Sequence, residues 1–169
     1  MTGLEIICNF APNSANQLIM RVVVQRVTKA SVTIDGVLKS KIGNGMLVLL
    51  GIEEADSQED VEWLCQKLTK LRVFEDDNRA MNLDILQVEG DFLVVSQFTL
   101  HAMTKKGNRP SFIRAARPEH AIPLYESFLK RLAEVSGRGV QCGEFGADMK
   151  VELLNDGPVT IIIDSKNKE

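Results

Sequence analysis

Residues 21–42 read RVVVQRVTKASVTIDGVLKSKI, and the pair Asp35-Gly36 within them decides how the chain begins. An Asp-Gly pair between two β-branched runs marks a two-residue hairpin, because both central positions of the favoured turn need positive φ. Arg21 to Thr28 and Ala30 to Ile34 therefore read as strands, and Val37 to Ile42 as the returning one. Gly43-Asn44-Gly45 turns the chain again, and Met46 to Ile52 is an unbroken apolar run of the length of a buried strand. An antiparallel start is expected.

Beyond it the period changes. Ser57 and Asp60 have the spacing of a capping box, and Val61, Leu64, Cys65, Leu68 and Leu71 fall on one face of the helix that follows. Glu75-Asp76-Asp77-Asn78 closes that unit. Asp91 to Leu100 reads as a strand with Phe92, Val94 and Val95 apolar. Pro118 stands where a first-turn proline belongs, and Ala121, Leu124, Tyr125, Phe128 and Leu132 mark a second amphipathic helix that stops at Gly137. Strands at about Gly139 to Cys142, Met149 to Leu154 and Val159 to Ile163 complete the chain. Hairpins at both ends with only two helices point to an α+β domain rather than a doubly wound parallel sheet.

The 169 residues suffice for one domain with an ordinary core. At 44% hydrophobic and 25% charged the composition is that of a globular protein, and with aromatics at 5% the core rests on aliphatic side chains. Residues 1–19 carry no clear period, so they are expected to form a loosely attached extension, with Met20 a candidate start and 20–169 the folded domain. Cys8, Cys65 and Cys142 form no CxxC pair and leave one thiol over in any disulfide scheme. That favours a reducing, cytoplasmic setting without a structural metal. The run Met46 to Ile52 is too short to span a bilayer, and no basic residue precedes an apolar stretch at the N-terminus as in a signal peptide. No membrane partner is expected.

Net charge is -3, so no global basic field advertises a nucleic acid. The distribution is uneven. Lys105, Lys106, Arg109, Arg114 and Arg117 occur within thirteen residues that contain no acid, whereas Glu53 to Asp60 is largely acidic. Lysines and an arginine around Gly107 suit phosphate contact, although solvated loops are often basic without a ligand.

Three further stretches carry candidate chemistry. Ser96-Gln97-Phe98-Thr99-Leu100 puts polar side chains at the end of a buried strand, where a rigid element can aim them. A water-facing edge strand would look the same and is the commoner case. A hydroxyl nucleophile needs a base, and the chain holds only His101 and His120, neither in a helpful local motif and each read as a surface residue. Phe145-Gly146-Ala147-Asp148-Met149 reads as a turn followed by a core methionine. In Asn155-Asp156-Gly157-Pro158, a proline follows the glycine at the mouth of an apolar strand, although proline lacks the N–H that a ladder needs and most X-Pro bonds are trans.

Together these stretches resemble the D-aminoacyl-tRNA deacylase family. The resemblance runs from Met20 to about Asp164 through MRVVVQRV at 20–27, SQFTL at 96–100, KGNRPSF at 106–112, FGADM at 145–149 and NDGPVT at 155–160. It implies hydrolysis of the ester joining a D-amino acid, or glycine, to the 3′ end of tRNA by a homodimer without metal or cofactor. The same resemblance implies a cis Gly157-Pro158 bond whose carbonyls reach into the partner subunit's site, and Arg26 bracing that loop. Phe145 and Met149 would line the pocket, Ser96, Gln97, Phe98 and Thr99 would form its floor from the other subunit, and Lys105, Lys106, Arg109 and Arg114 would approach the tRNA. The fold expected is a mostly antiparallel, barrel-like sheet with two amphipathic helices. A non-catalytic RNA-binding module and a generic esterase using Ser96 or Thr99 are the competing classes.

Overall fold

The computed structural model describes residues 20–168. The extension expected over residues 1–19 lies outside them. In chain order the elements are β1 (Arg21–Ile34), β2 (Val37–Ile42), β3 (Gly45–Gly51), α1 (Gln58–Thr69), β4 (Phe74–Glu75), β5 (Met81–Leu83), β6 (Asp91–Ser96), a 3-10 turn (Phe98–His101), α2 (Pro118–Ser136), β7 (Val140–Cys142) and β8 (Met149–Asp164).

The local signals act as their chemistry requires. Asp35 and Gly36 both take positive φ, and Ile34 pairs with Val37 across them. The Ser57 hydroxyl accepts from the Glu59 N–H while the Asp60 carboxylate accepts from the Ser57 N–H, which satisfies donors that the start of α1 leaves open. Pro118 opens α2, and Gly137 ends it in the left-handed conformation.

The sheet is mixed. β1 pairs antiparallel with β8 along one edge and with β3 and then β2 along the other, but β3–β6 and β6–β7 are parallel. The parallel pairing brings the C-terminal ends of β3 and β6 side by side, with Leu50 opposite Ser96. The sheet curls until the Ser40 hydroxyl of β2 donates to the Cys142 carbonyl of β7 at 2.8 Å, almost closing a barrel. One core lies between the sheet and the two helices, where Val22, Val24, Met46, Val48, Phe92 and Val94 meet Leu64, Leu68, Phe128 and Leu132. A second fills the inside of the curl with Val27, Ala30, Val32, Leu47, Leu93 and Val95. Apart from Ala30, each of these side chains contributes roughly 1.5–3 kcal/mol of hydrophobic burial.

Two expected breaks are absent. β1 runs unbroken through Thr28 to Ala30, and β8 runs from Met149 through the glycine and proline to Asp164. Both strands absorb irregularity as bulges instead. Between the pairs Gln25↔Thr160 and Val27↔Asn155, Arg26 alone faces Asp156, Gly157, Pro158 and Val159; one step further on, Thr28 is the extra residue. The strand expected to reach Leu100 stops at Ser96, where the 3-10 turn takes over. Among the described residues no helix is long and apolar enough to cross a membrane.

Candidate active site

The end of β6 is fixed by its neighbour. The Gln97 N–H donates to the Leu50 carbonyl at 2.8 Å, the last ladder bond before the chain tightens into the 3-10 turn. Phe98 and Thr99 are exposed on that turn. The Phe98 ring meets Phe112 edge-on at 5.1 Å, and the Gln97 side-chain amide donates to the Thr99 hydroxyl.

Ser96, Gln97 and Phe98 line one wall of a cavity of about 250 Å³, and Phe145, Gly146, Ala147, Asp148 and Met149 line the wall across from them. Tyr125, buried in α2, anchors that second wall: its hydroxyl donates to the Val94 carbonyl at 3.0 Å and its ring contacts Phe145 at 5.9 Å. Two of the motifs picked from the sequence thus converge within a single chain.

Gly157 and Pro158 are elsewhere. Neither lines this cavity, and both are exposed on the bulge of β8, joined by a cis peptide bond. Behind them Arg26 is 3% exposed; its guanidinium donates to the Asp156 carbonyl at 3.1 Å and the Val73 carbonyl at 2.8 Å, and it stands 3.2 Å from the Asp156 carboxylate and 3.5 Å from that of Glu75. The Asn155 side chain closes the bulge, its carbonyl accepting from the Val159 N–H at 2.9 Å and its amide donating to Thr160 at 3.0 Å. Arg26 thus holds the backbone carbonyl at Asp156, next to the glycine-proline pair. Phe145 and Met149 share a cavity with Ser96–Phe98 of their own chain.

The basic segment divides in two. An antiparallel bridge between Met103 and Ser111 closes a loop whose tip exposes Lys105, Lys106 and Arg109. Arg114 turns inward, its Nη2 3.0 Å from Oε1 of Glu53. His101 is also inside, which corrects the reading of it as a surface residue: it is 5% exposed, with Nδ1 2.9 Å from the same Glu53 oxygen. Burial is the main cause that lowers the imidazole pKa, opposed by a backbone contact with Gly51 and by the Glu53 carboxylate. His120 has a different partner, the Asp56 carbonyl, 3.0 Å from its Nε2. Neither histidine is hydrogen-bonded to Thr99. The sequence carried a signal for Glu53, an acid directly after the apolar run of β3, but nothing local pairs it with His101.

Among the described residues no cluster of three or more His, Cys, Asp or Glu side chains is arranged to hold a metal ion. A family model described as D-Tyr-tRNA(Tyr) deacylase matches residues 23–164.

The chain belongs to that family.

Its relatives are near. A protein of Bacteroides fragilis (strain YCH46) named D-aminoacyl-tRNA deacylase is 67% identical over 150 residues, covering 89% of this chain and all of the relative. One of the same name from Akkermansia muciniphila is 61% identical with the same coverage. Among solved structures, the c-Myc DNA Unwinding Element Binding Protein is 44% identical with a TM-score of 0.80, over 85% of this chain and 97% of that one. A probable eukaryotic D-amino acid tRNA deacylase at 19% identity and a TM-score of 0.74 over 86% of this chain and 99% of that one shares the fold.

Proposed function

We propose that this protein is a D-aminoacyl-tRNA deacylase, an enzyme that hydrolyses the ester between a D-amino acid and the 3′ end of tRNA, and that glycyl esters on non-cognate tRNA are also substrates. The family membership and the identity of 67% to a protein of that name support the activity. The observation that carries the mechanism is the bulge at Asp156 to Val159, an exposed piece of backbone gripped from inside by a buried arginine. Its carbonyls accept hydrogen bonds from the substrate's α-ammonium. With the ammonium so held, a D side chain has an open direction and an L side chain meets the wall, so chirality is rejected sterically. Glycine has nothing to collide and passes.

The complete site needs two copies of the chain. Gly157 and Pro158 do not face the cavity of their own chain, while Leu153, Leu154 and Ile162 on the same strand and Val37 and Leu38 beyond it are exposed hydrophobics that a second copy would cover. A homodimer presents the bulge of one copy to the 96–99 segment of the other. Lys105, Lys106 and Arg109 then meet the acceptor end of the tRNA, in a cytoplasmic setting.

An aminoacyl ester is already activated, so hydrolysis needs a placed water and stabilisation of the tetrahedral oxyanion. Backbone N–H groups near Phe98 and Thr99 serve the oxyanion. Both histidines have other partners, so the substrate's own ribose 2′-hydroxyl assists the water and Thr99 only positions. Thr99→Ala is accordingly expected to stay within about tenfold of the parent in single-turnover deacylation, the size of one lost hydrogen bond. A loss beyond about a thousandfold would make Thr99 a nucleophile.

The deciding assay is deacylation of matched D- and L-tyrosyl-tRNA with an enzyme-free control. Rapid loss of the D ester alone is expected. Equal loss of both esters would mean an esterase without a filter, and tRNA binding without hydrolysis would mean a binding module.

A further inference from the structure

The Glu53 carboxylate is the junction of three elements that the fold could have joined with apolar contacts. It is fully buried, on the residue that follows the end of β3 by two, and its Oε1 lies 2.9 Å from His101 Nδ1 and 3.0 Å from Arg114 Nη2. Its backbone is held too: the Glu53 N–H donates to Asp56 Oδ2 at 2.7 Å, and Glu53 forms a bridge with Ala115. His101 is the last residue of the 3-10 turn that carries Phe98 and Thr99. Arg114 lies within the basic segment, after the loop closed by Met103 and Ser111. The preceding carbonyl of the turn, that of Leu100, accepts from Arg21 Nη1 at 3.2 Å, while the rest of the Arg21 guanidinium holds Asp164 at 2.7 and 2.9 Å.

Gly51 shows how closely the turn is seated. A Cβ there would stand 2.7 Å from His101 Nε2 and 3.1 Å from the Gln97 carbonyl oxygen, so the imidazole and the start of the turn occupy the space a side chain would take. Isolated burial of a carboxylate is costly, and a well-packed apolar group at such a place is often at least as stable. What the ionic junction adds is direction: nitrogens of His101 and Arg114, on separate segments, approach one carboxylate oxygen at 2.9 and 3.0 Å, which ties the position of the turn to that of the basic segment.

We propose that Glu53 and His101 are positioning residues for deacylation, locking the Phe98–His101 turn at the height the ester requires and coupling it through Arg114 to the loop that carries Lys105, Lys106 and Arg109. This rests on the deacylase reading above. The surface lysines act on binding, whereas the junction acts on the geometry of the reacting ester. The two roles therefore separate in kinetics.

The test compares His101→Leu, which keeps bulk but has no donor, with His101→Asn, whose side-chain amide places a donor where Nδ1 stands, and adds Glu53→Gln. Each is measured for kcat and KM on D-tyrosyl-tRNA, for thermal unfolding, and for hydrogen exchange of the 98–101 amides. Expected for His101→Leu and Glu53→Gln is a fall in kcat of about ten- to a hundredfold with KM within about threefold, and faster exchange in the turn. His101→Asn recovers most of both. A Lys105→Ala, Lys106→Ala double variant shows the converse, a raised KM at near-parental kcat. Where His101→Leu is too unstable to assay, Arg114→Met, altered at a partly exposed side chain, replaces it with the same expectation at smaller size. Unchanged kcat in a folded His101→Leu or Arg114→Met protein overturns the proposal. Should the parent protein leave D-esters intact, the deacylase reading fails by itself, and the exchange data still decide whether the junction holds the turn.

Discussion

Gly157→Ala is expected to leave the protein folded and to lower kcat/KM for D-tyrosyl-tRNA by at least about a hundredfold. Gly157 has φ +126, a region in which an L side chain is strained by about 1–3 kcal/mol. Space is short as well. A Cβ would lie 2.9 Å from Cγ2 of Val159, 3.0 Å from Nη2 of Arg26 and 3.1 Å from the Val159 backbone nitrogen. The Arg26 end can shift; the backbone nitrogen cannot without moving the bulge. Yet the ladder resumes on either side, at Gln25↔Thr160 and Val27↔Asn155, so the damage stays local and the melting temperature falls by only a few degrees. Displaced carbonyls hold the ammonium wrongly, and an aminoacyl group misplaced by about 1 Å costs on the order of a hundredfold. The check is single-turnover deacylation of D- and L-esters beside a melting curve. A folded Gly157→Ala protein with parental D-over-L preference would remove the bulge from the mechanism.

The elements legible in the sequence were those written in a few neighbouring residues: the Asp35-Gly36 hairpin, the Ser57 and Asp60 box, and the Pro118 and Gly137 ends of α2. Where the sequence misled, two segments far apart had to agree. β1 looked like two strands because its buried positions run Val22, Val24, Arg26 and then Val27, Ala30, Val32. The shift of parity comes from the extra residue Thr28, and the burial of an arginine comes from the bulge of a strand well over a hundred residues later. The parallel pairs β3–β6 and β6–β7 were unreadable for a related reason, since an apolar run such as Met46 to Ile52 reports burial on both faces and is silent about its partner. Of the site, Ser96, Gln97 and Phe98 share a cavity with Phe145 to Met149, a meeting that depends on the parallel β3–β6 pairing and so is not written in either motif. The Glu53 and His101 pair did not announce itself, because a histidine beside exposed residues and a glutamate at the head of an acidic run each look solvated until the turn at 98–101 folds one onto the other.

Arg26→Met should be the most damaging single change to this site. The side chain is only 4% exposed, and its planar fork reaches the carbonyls of both Asp156 and Val73, tying the bulge of β8 to the segment after α1. Methionine fills much of the volume and supplies no donor. One buried acceptor, the Val73 carbonyl, and one part-buried acceptor, the Asp156 carbonyl, then lose their partner at about 1–3 kcal/mol each, so a total of roughly 2–5 kcal/mol and a drop of about 10 °C in melting temperature are expected. Activity should fall further than stability accounts for. At a temperature where the variant is still fully folded, deacylation of D-tyrosyl-tRNA is expected to be down by more than about a hundredfold, because the bulge has lost the group that sets its height above β1. Arg26→Lys separates the causes: it restores the charge facing Asp156 and Glu75, but an ammonium is a point donor that does not span two carbonyls as the fork does. Recovery of stability without recovery of rate in Arg26→Lys would show that geometry, not charge, is what the arginine supplies. Full activity in a folded Arg26→Met protein would mean that the bulge keeps its shape unaided, and Arg26 would then be a stabilising residue alone.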